Sequence, residues 1–190
     1  MSRVNKKLGF TLMLATLFSA ATVYPQQSSR LQEKIDRAIK GTFEIDSFRT
    51  KAISIPPKLQ EKTIAKFDNN QFFQIMAAEQ SLGYAYVGSA ASMKKKFEYI
   101  LMFKPDLSIK KSKVLIYREN YGRQIGSQRW LIKFVGFTPS DELTYGENID
   151  AISGATISAS SMTNATADVL KSISVLIQNE VITPSSQLNN

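Results

Sequence analysis

The spacing of apolar residues changes twice along the chain, and this limits the folds that the sequence can adopt. Leu31, Ile35 and Ile39 recur at helical spacing near the start. Short apolar and aromatic runs follow between residues 71 and 117, and helical spacing returns from about Ile157. Strands grouped between helices predict an α/β (α+β) fold class, with an antiparallel sheet packed by helices and a long C-terminal amphipathic helix.

Four of these runs are predicted to be antiparallel strands. They cover residues 71–78, 84–88, 97–103 and 112–117. Pro105 and Asp106 supply turn chemistry between the last two. The next segment, 123–137, is interrupted by Gly126 and Gly136 and predicts a loop followed by a short helix or strand.

Two helices are predicted before the strands. Ser29 and Gln32 have the spacing of a capping box, and the first helix should stop at Gly41. A short second helix within residues 58–67 should direct three apolar side chains inward, namely Leu59, Ile64 and Phe67.

The last predicted helix covers residues 157–181. Its repeating positions are Met162, Thr166, Val169, Ile173, Leu176 and Ile177. The chain is therefore divided into a leader (1–23), an N-terminal helical segment (24–70), a sheet-containing domain (71–182) and a disordered tail (183–190).

The leader has the pattern of an export signal. Arg3, Lys6 and Lys7 precede an uncharged apolar run, residues 8–23. We expect cleavage after about Ala21. Retention as a membrane anchor is the alternative, because the length of the run is at the border of the roughly 20 residues that a spanning helix needs. A lipoprotein anchor is excluded because the chain has no cysteine. The expected location is extracytoplasmic, either periplasmic or secreted, or anchored in the membrane by this segment.

The chain contains neither cysteine nor histidine, which excludes several kinds of chemistry. Thiolate nucleophiles, thiolate-bound iron–sulfur clusters and Ser-His-Asp triads all need one of these residues, as do ordinary zinc sites. No catalytic residue and no metal site are predicted. Redox chemistry in this chain would need a bound cofactor.

Seven lysines between Lys94 and Lys113 are predicted to form one basic hairpin. Lysines on an exposed strand discourage edge-to-edge pairing with another sheet. The alternative is contact with anionic lipid headgroups or with an acidic redox partner. Nucleic acid is not expected as a partner because no recognisable reading motif is present.

The most informative segment is Asp-Ala-Ile-Ser-Gly-Ala-Thr, residues 150–156, directly before the last predicted helix. Its small residues leave the backbone accessible, and a helix N-terminus presents unpaired N–H groups and a positive dipole end to a phosphate. The alternative is purely structural: Ser153 or Thr156 caps the helix and Gly154 provides the turn.

These seven residues resemble the flavinylation motif of the FMN-binding domain family, which includes the FMN-carrying subunits of sodium-pumping NADH:quinone oxidoreductases and of Rnf-type electron transport complexes. The resemblance implies that Thr156 carries FMN covalently, through a phosphoester bond to its hydroxyl. Asp150, Ser153, Gly154 and Ala155 would then be the sequence recognised by a Mg-dependent flavin transferase that uses FAD as donor. The similarity extends over about residues 72–174, so the predicted FMN-binding domain is 71–182.

A second similarity lies at residues 119–122, where the family's Glu-x-x-Gly loop is Glu-Asn-Tyr-Gly. The usual Thr-Pro pair of that loop is absent here. The resemblance implies flavin contacts from Glu119, Tyr121 and Gly122.

Aromatic and basic side chains near these motifs are further candidates. Those that could stack on the flavin ring are Tyr121, Trp130 and Tyr145, with ordinary core packing as the alternative for each. Those that could pair with the phosphate are Arg118, Arg123 and Arg129.

The functional expectation is an exported carrier of covalent FMN that shuttles electrons between membrane or extracytoplasmic redox partners. It is not expected to be a free-standing enzyme, because no residue set suggests a substrate pocket with its own acid–base pair. Two alternatives remain open: a flavin-free secreted basic interaction domain, and a flavin-dependent reductase of a small extracytoplasmic acceptor.

Overall fold

The computed structural model describes residues 29–68 and 70–185. The predicted leader, 1–23, and the end of the predicted tail, 186–190, lie outside the described residues. The α-helices are α1 (Ser29–Phe43), α2 (Pro57–Gln60), α3 (Gln128–Leu131) and α4 (Thr156–Gln178). The strands are β1 (Arg49–Ala52), β2 (Phe72–Ala77), β3 (Gln80–Ala91), β4 (Lys96–Phe103) and β5 (Ile109–Ile116). Two 3₁₀ turns, Arg123–Gly126 and Ile132–Phe134, flank α3. No helix in the described part of the chain is long and apolar enough to cross a membrane.

The strands form one antiparallel sheet in the order β1-β2-β3-β4-β5. This confirms the predicted fold class, an antiparallel sheet packed by helices. The prediction of four strands was wrong, because β1 adds a fifth at the β2 edge, where Arg49 lies opposite Met76. All four residues of β1 are exposed, so its sequence carries no alternation of apolar and polar residues to reveal it.

The two faces of the sheet carry separate cores, because successive side chains of a strand point to opposite faces. The core beneath α1 includes Ile35, Ile39, Ile75, Ile100 and Met102. The core beneath α4 includes Tyr99, Leu101, Phe103, Met162 and Ile173. The sheet therefore separates α1 from α4 and from the 150–156 segment that precedes α4.

Helix α1 continues past Gly41 to Phe43, so the predicted stop at the glycine was wrong. The helix ends where Glu44 takes a positive φ of 57°, and the N–H of Ile45 donates to the carbonyl of Lys40 at 3.2 Å. This is the geometry of a Schellman motif, here with glutamate in place of glycine. As predicted, Ile35 and Ile39 are buried.

The predicted second helix is only one turn, α2. Leu59 and Phe67 are buried as expected, but Ile64 is 62% exposed. Ser172 of α4 explains the difference, since its Oγ accepts hydrogen bonds from the N–H groups of Ile64 at 3.0 Å and Ala65 at 2.9 Å. These bonds hold the segment to α4 in a bend instead of a helix.

The C-terminal helix follows its predicted pattern closely. Five of the predicted positions are buried, namely Met162, Thr166, Val169, Ile173 and Leu176. The helix ends at Gln178, three residues before the predicted end. Residues 183–185 are not the start of a disordered tail, because Pro184 is buried and the Ser185 N–H donates to the Pro105 carbonyl at 3.1 Å.

The seven lysines lie on the antiparallel β4–β5 hairpin or directly before it, as predicted, but they do not form one surface. Lys94 and Lys95 lie before β4 and Lys104 lies after it; β4 has 8 residues, which separates the two groups by roughly 25 Å. Lys110, Lys111 and Lys113 lie on the edge strand β5, the position at which lysine protects an edge. The turn and the strand are thus distinct basic surfaces.

Candidate functional site

The 150–156 segment is a surface loop that leads into α4. Gly154 has φ +76°, and the N–H of Ala155 donates to the Ile152 carbonyl at 3.1 Å. Ala155 is the N-cap residue of α4, and no side chain caps the helix. The structural alternative, in which Ser153 or Thr156 caps α4, is therefore wrong. Thr156 is the first residue of the helix and is exposed.

The first turn of α4 leaves backbone donors available beside Thr156. The first hydrogen bond of the helix joins the Ala159 N–H to the Ala155 carbonyl at 2.9 Å. The N–H groups of Thr156, Ile157 and Ser158 precede it, and helix geometry gives them no partner within the helix. Together with the dipole of a helix of 23 residues, they make this end attractive to an anion.

The 119–122 loop packs against this helix start. Gly122 has φ +74°, and a Cβ there would lie 2.6 Å from Tyr117 Oη and 3.6 Å from Ala155 Cα. Tyr117 Oη in turn lies 3.0 Å from Ser158 Oγ. The structure thus brings the 119–122 and 150–156 segments together, with Gly122 beside Ala155.

Glu119 fixes the β3–β4 turn. Its Oε1 accepts hydrogen bonds from Ser92 Oγ at 2.6 Å, the Lys94 N–H at 2.6 Å and the Lys95 N–H at 3.1 Å. These bonds lower the pKa of Glu119, and the bond from the Lys94 N–H has the largest effect. The carboxylate therefore holds Met93, between Ser92 and Lys94, beside the helix start.

An apolar cleft of about 250 Å³ opens next to Thr156. Three large apolar side chains around it are unusually exposed: Met93 at 68%, Tyr121 at 82% and Ile157 at 51%. Gly122 and Gly154 also line this cleft, which we call the Thr156 cleft. Exposed apolar side chains gathered around one cavity are typical of a ligand site.

Trp130 and Tyr145 contact the motif loop itself. Trp130 is 6% exposed, and its Nε1 donates to the Asp150 carbonyl at 2.8 Å. Tyr145 Oη accepts a long hydrogen bond of 3.4 Å from the Ile152 N–H. Both side chains stabilise the loop, and neither lines the Thr156 cleft. Stacking of either ring on a flavin stays a prediction.

The three arginines differ in their surroundings. Arg118 pairs with Glu98 and also donates to the Lys96 carbonyl; the hydrogen bond to Glu98 raises its pKa. Arg123 Nε donates to the Glu119 carbonyl at 3.4 Å. Arg129 lines a second cleft with Lys133, Asp150 and Ser153. None of the three lines the Thr156 cleft.

Comparison with protein families finds one similarity. Residues 93–171 match the FMN-binding domain family. This part of the chain is therefore similar to that family. The matched region begins at Met93, in the turn held by Glu119, and includes both motifs and most of α4.

Other comparisons are more distant. Among solved structures, the chain is similar to a subunit of the Na⁺-translocating NADH-quinone reductase from Parabacteroides distasonis, with 10% sequence identity and a TM-score of 0.43. The similarity covers 80% of this chain and 96% of that chain. No curated protein matches the chain.

The residues around Thr156 fit the FMN that the family binds. The free N–H groups at the start of α4 suit a phosphate, and the Thr156 cleft suits the flat, largely apolar faces of a flavin ring. Two nearby carboxylates could repel the phosphate of FMN, but both have partners. Glu119 Oε1 accepts hydrogen bonds from the β3–β4 turn, and the Asp150 carboxylate pairs with Lys133 at 3.1 Å.

Sequence reasoning missed Met93 and Ile157. Neither residue belongs to a periodic pattern that separates it from core residues, and Met93 lies between polar residues in a turn. Only the folded arrangement shows that both line the same cleft as Tyr121.

Proposed function

We propose that the protein is an exported electron carrier that holds FMN covalently at Thr156. In the attachment step, the Thr156 hydroxyl loses its proton and its oxygen bonds to the FMN phosphorus of FAD. The pyrophosphate bond breaks and AMP leaves. A Mg-dependent flavin transferase would catalyse this step, as the motif's resemblance implies.

One observation carries the proposal: the Thr156 hydroxyl is exposed at an uncapped helix start. A threonine that stabilised the helix would be at the N-cap, with its oxygen bonded to a backbone N–H. Here alanine occupies that position. The hydroxyl is therefore available for attachment, beside donors that would stabilise the remaining charge of a phosphodiester.

The Thr156 cleft gives the other residues their proposed roles. Met93, Tyr121 and Ile157 would cover apolar ring surface and exclude water from it, while Glu119 keeps Met93 in place. Gly122 lets the 119–122 loop approach the start of α4 closely, and Gly154 leaves the backbone of the motif loop accessible. Bound FMN supplies one- and two-electron transfer to such a site.

A carrier role is favoured over an enzymatic one by the residues at the cleft. Its lining contains one carboxylate, Glu119, whose Oε1 already accepts three hydrogen bonds. Among the described residues, no second carboxylate and no lysine or arginine lines the cleft. Its other ionisable groups are the phenols of Tyr117, which lies 3.0 Å from Ser158 Oγ, and of Tyr121. We therefore propose that electrons are exchanged with membrane or extracytoplasmic redox partners, and that the leader places the domain outside the cytoplasm.

The test is covalent flavin in the full chain, produced in its native host or together with a flavin transferase. Wild-type protein should give a fluorescent band on a denaturing gel and gain the mass of one FMN less one water. Thr156→Ala should lose both signals. The matched variants Thr156→Ser, which keeps a hydroxyl, and Ser153→Ala, which removes the neighbouring one, should keep them to a measurable extent.

Two outcomes would contradict the proposal. A fluorescent band that persists in Thr156→Ala would show that the attachment residue is another one. A wild-type protein without flavin from a host that flavinylates other proteins would favour the flavin-free interaction domain instead.

A further inference from the structure

A second surface, which shares no residue with the Thr156 cleft, is built from lysines of β5. Lys111 lies opposite Met102 and Lys113 opposite Ile100. Directly opposed residues share a face of the sheet, and both partners belong to the core beneath α1. The two lysines therefore lie on the α1 side of the sheet. Lys110 joins them, because its Nζ lies 5.6 Å from the centre of the Phe43 ring at the end of α1.

Helix α1 contributes two more cations to this surface. Lys34 and Arg37 are close enough to Lys113 to lower its pKa, together with Lys111 and after the larger effect of burial. We call Lys34, Arg37, Lys110, Lys111 and Lys113 the basic face. Within the described residues, no carboxylate forms a salt bridge with any of them.

The acidic residues of α1 leave this face positive. Asp36 accepts a hydrogen bond from Gln32 at 2.8 Å and lines a cleft with Phe48 and Thr50 at the β1 side of the sheet. Glu33 is exposed on the same helix. Asp36 thus lies toward β1, and Glu33 is the one carboxylate of α1 left to offset the five cations of the basic face. Edge protection of β5 needs only charged side chains on the strand itself, so the cations from α1 exceed that requirement.

We propose that the basic face binds the anionic headgroup surface of a membrane. The proposal takes the alternative given for the leader, in which the uncharged apolar run 8–23 is retained as an anchor. Lipid is then the favoured occupant, because α1 begins at Ser29, shortly after that run. Basic residues next to an apolar segment are attracted to anionic lipid within a Debye length of the surface. The inference stands independently of the flavin, because none of its residues touches the Thr156 cleft.

This docking orients the domain. The basic face lies on the α1 side of the sheet, whereas α4 and the motif loop pack on the opposite side. Contact through the basic face would turn the Thr156 cleft away from the lipid, toward partners that approach from the aqueous side.

The test is flotation of the full chain with vesicles of phosphatidylcholine alone and with a three-to-one mixture of phosphatidylcholine and phosphatidylglycerol. The ratio of bound protein between the two compositions isolates the anionic contribution, because the apolar run is the same in every variant. Wild type should favour the mixed vesicles, and the preference should shrink as salt is added. The triple variant Lys34→Glu, Lys111→Glu, Lys113→Glu should lower the ratio by more than about tenfold.

A matched triple variant controls for net charge. Lys58→Glu, Lys62→Glu and Lys66→Glu change the charge equally at exposed positions outside the basic face, and this protein should keep most of the preference. A version with glutamine at 34, 111 and 113 should lie between wild type and the glutamate triple. Far-ultraviolet circular dichroism checks that each variant is folded.

The proposal is overturned if wild type partitions equally onto both vesicles. It is also overturned if the two glutamate triples lose the preference equally, because net charge and not the basic face would then govern binding. Either result would leave an acidic protein surface as the occupant to examine next.

Discussion

At Gly154 the backbone adopts a positive φ of 76°, but the space around it is open. A Cβ would meet only Gln124 Nε2, at 4.0 Å. The cost of a side chain here is thus backbone strain, about 1–2 kcal/mol for an ordinary residue, and not a steric clash. Asparagine tolerates this region of φ better than β-branched residues do.

Gly154→Val should therefore reduce flavin occupancy although Thr156 is unchanged. The strained loop would move the hydroxyl from the position that the transferase needs. Gly154→Asn should stay closer to wild type, because its backbone can keep the native φ. Flavin absorbance per mole of purified protein measures the difference, and full occupancy in the valine variant would show that the loop conformation is not required.

The contribution of Glu119 to stability should depend on pH. Its pKa is lowered in the folded protein, so its stabilising effect is present above the ordinary carboxyl value of about 4.3 and is lost as pH falls through the lowered folded-state value. Glu119→Gln should lower the free energy of unfolding at neutral pH. The difference from wild type should disappear in acid.

Denaturant unfolding of both proteins from neutral pH down to the acid range checks this. A difference that stayed constant with pH would mean that the amide perturbs the β3–β4 turn by its shape alone. The carboxylate charge would then contribute nothing to holding Met93 beside the cleft.

The residues of the site were predictable to different degrees. The seven-residue segment was noticed as a small-residue turn before a predicted helix, and its resemblance to the flavinylation motif of the FMN-binding domain family pointed to a flavin. Met93 and Ile157 could not be identified, because exposed apolar residues leave no periodic signal. Trp130 was identified as an aromatic near the motif, but its indole N–H bond to the Asp150 carbonyl depends on the tertiary fold.

Among the secondary-structure elements, α4 and the strands β2 to β5 were predictable because burial imposes clear patterns on them. The short strand β1 was not, since it is exposed along its whole length and owes its existence to pairing with β2. The predicted end of α1 at Gly41 was also wrong, because glycine favours a helix end but does not enforce one.

Helix α1 should be stabilised by alanine in place of Gly41. Gly41 lies inside the helix, and a Cβ there would meet nothing within 4 Å. Gly41→Ala should raise the free energy of unfolding by roughly 0.5–1 kcal/mol, because alanine loses less conformational freedom on folding. Chemical denaturation of the two proteins measures the change. A destabilised variant would indicate that α1 ends before Phe43 in solution.

At the scale of the whole molecule, the sheet separates two cores that should serve different purposes. Ile39 is fully buried beneath α1, and Ile39→Ala should lower the free energy of unfolding by about 2–5 kcal/mol. Flavin occupancy of the protein that remains folded should not change, since the Thr156 cleft lies across the sheet.

Met162→Ala is the comparison for this prediction. Met162 is fully buried beneath α4, so a similar loss of stability should be accompanied by lower flavin occupancy. Intact mass and thermal unfolding of the same samples give both quantities. Equal occupancy losses in the two variants would show that the cores are not independent.

The exposure of the motif loop bears on the order of events during biogenesis. Ser153, Gly154 and Thr156 are on the surface of the finished fold, and only Ala155 of these four neighbours is buried. An enzyme that reads this loop would not need to reach the chain before it folds. In the proposed function, cofactor attachment can therefore follow export and folding, and a cell can store the finished apoprotein and load it when flavin becomes available.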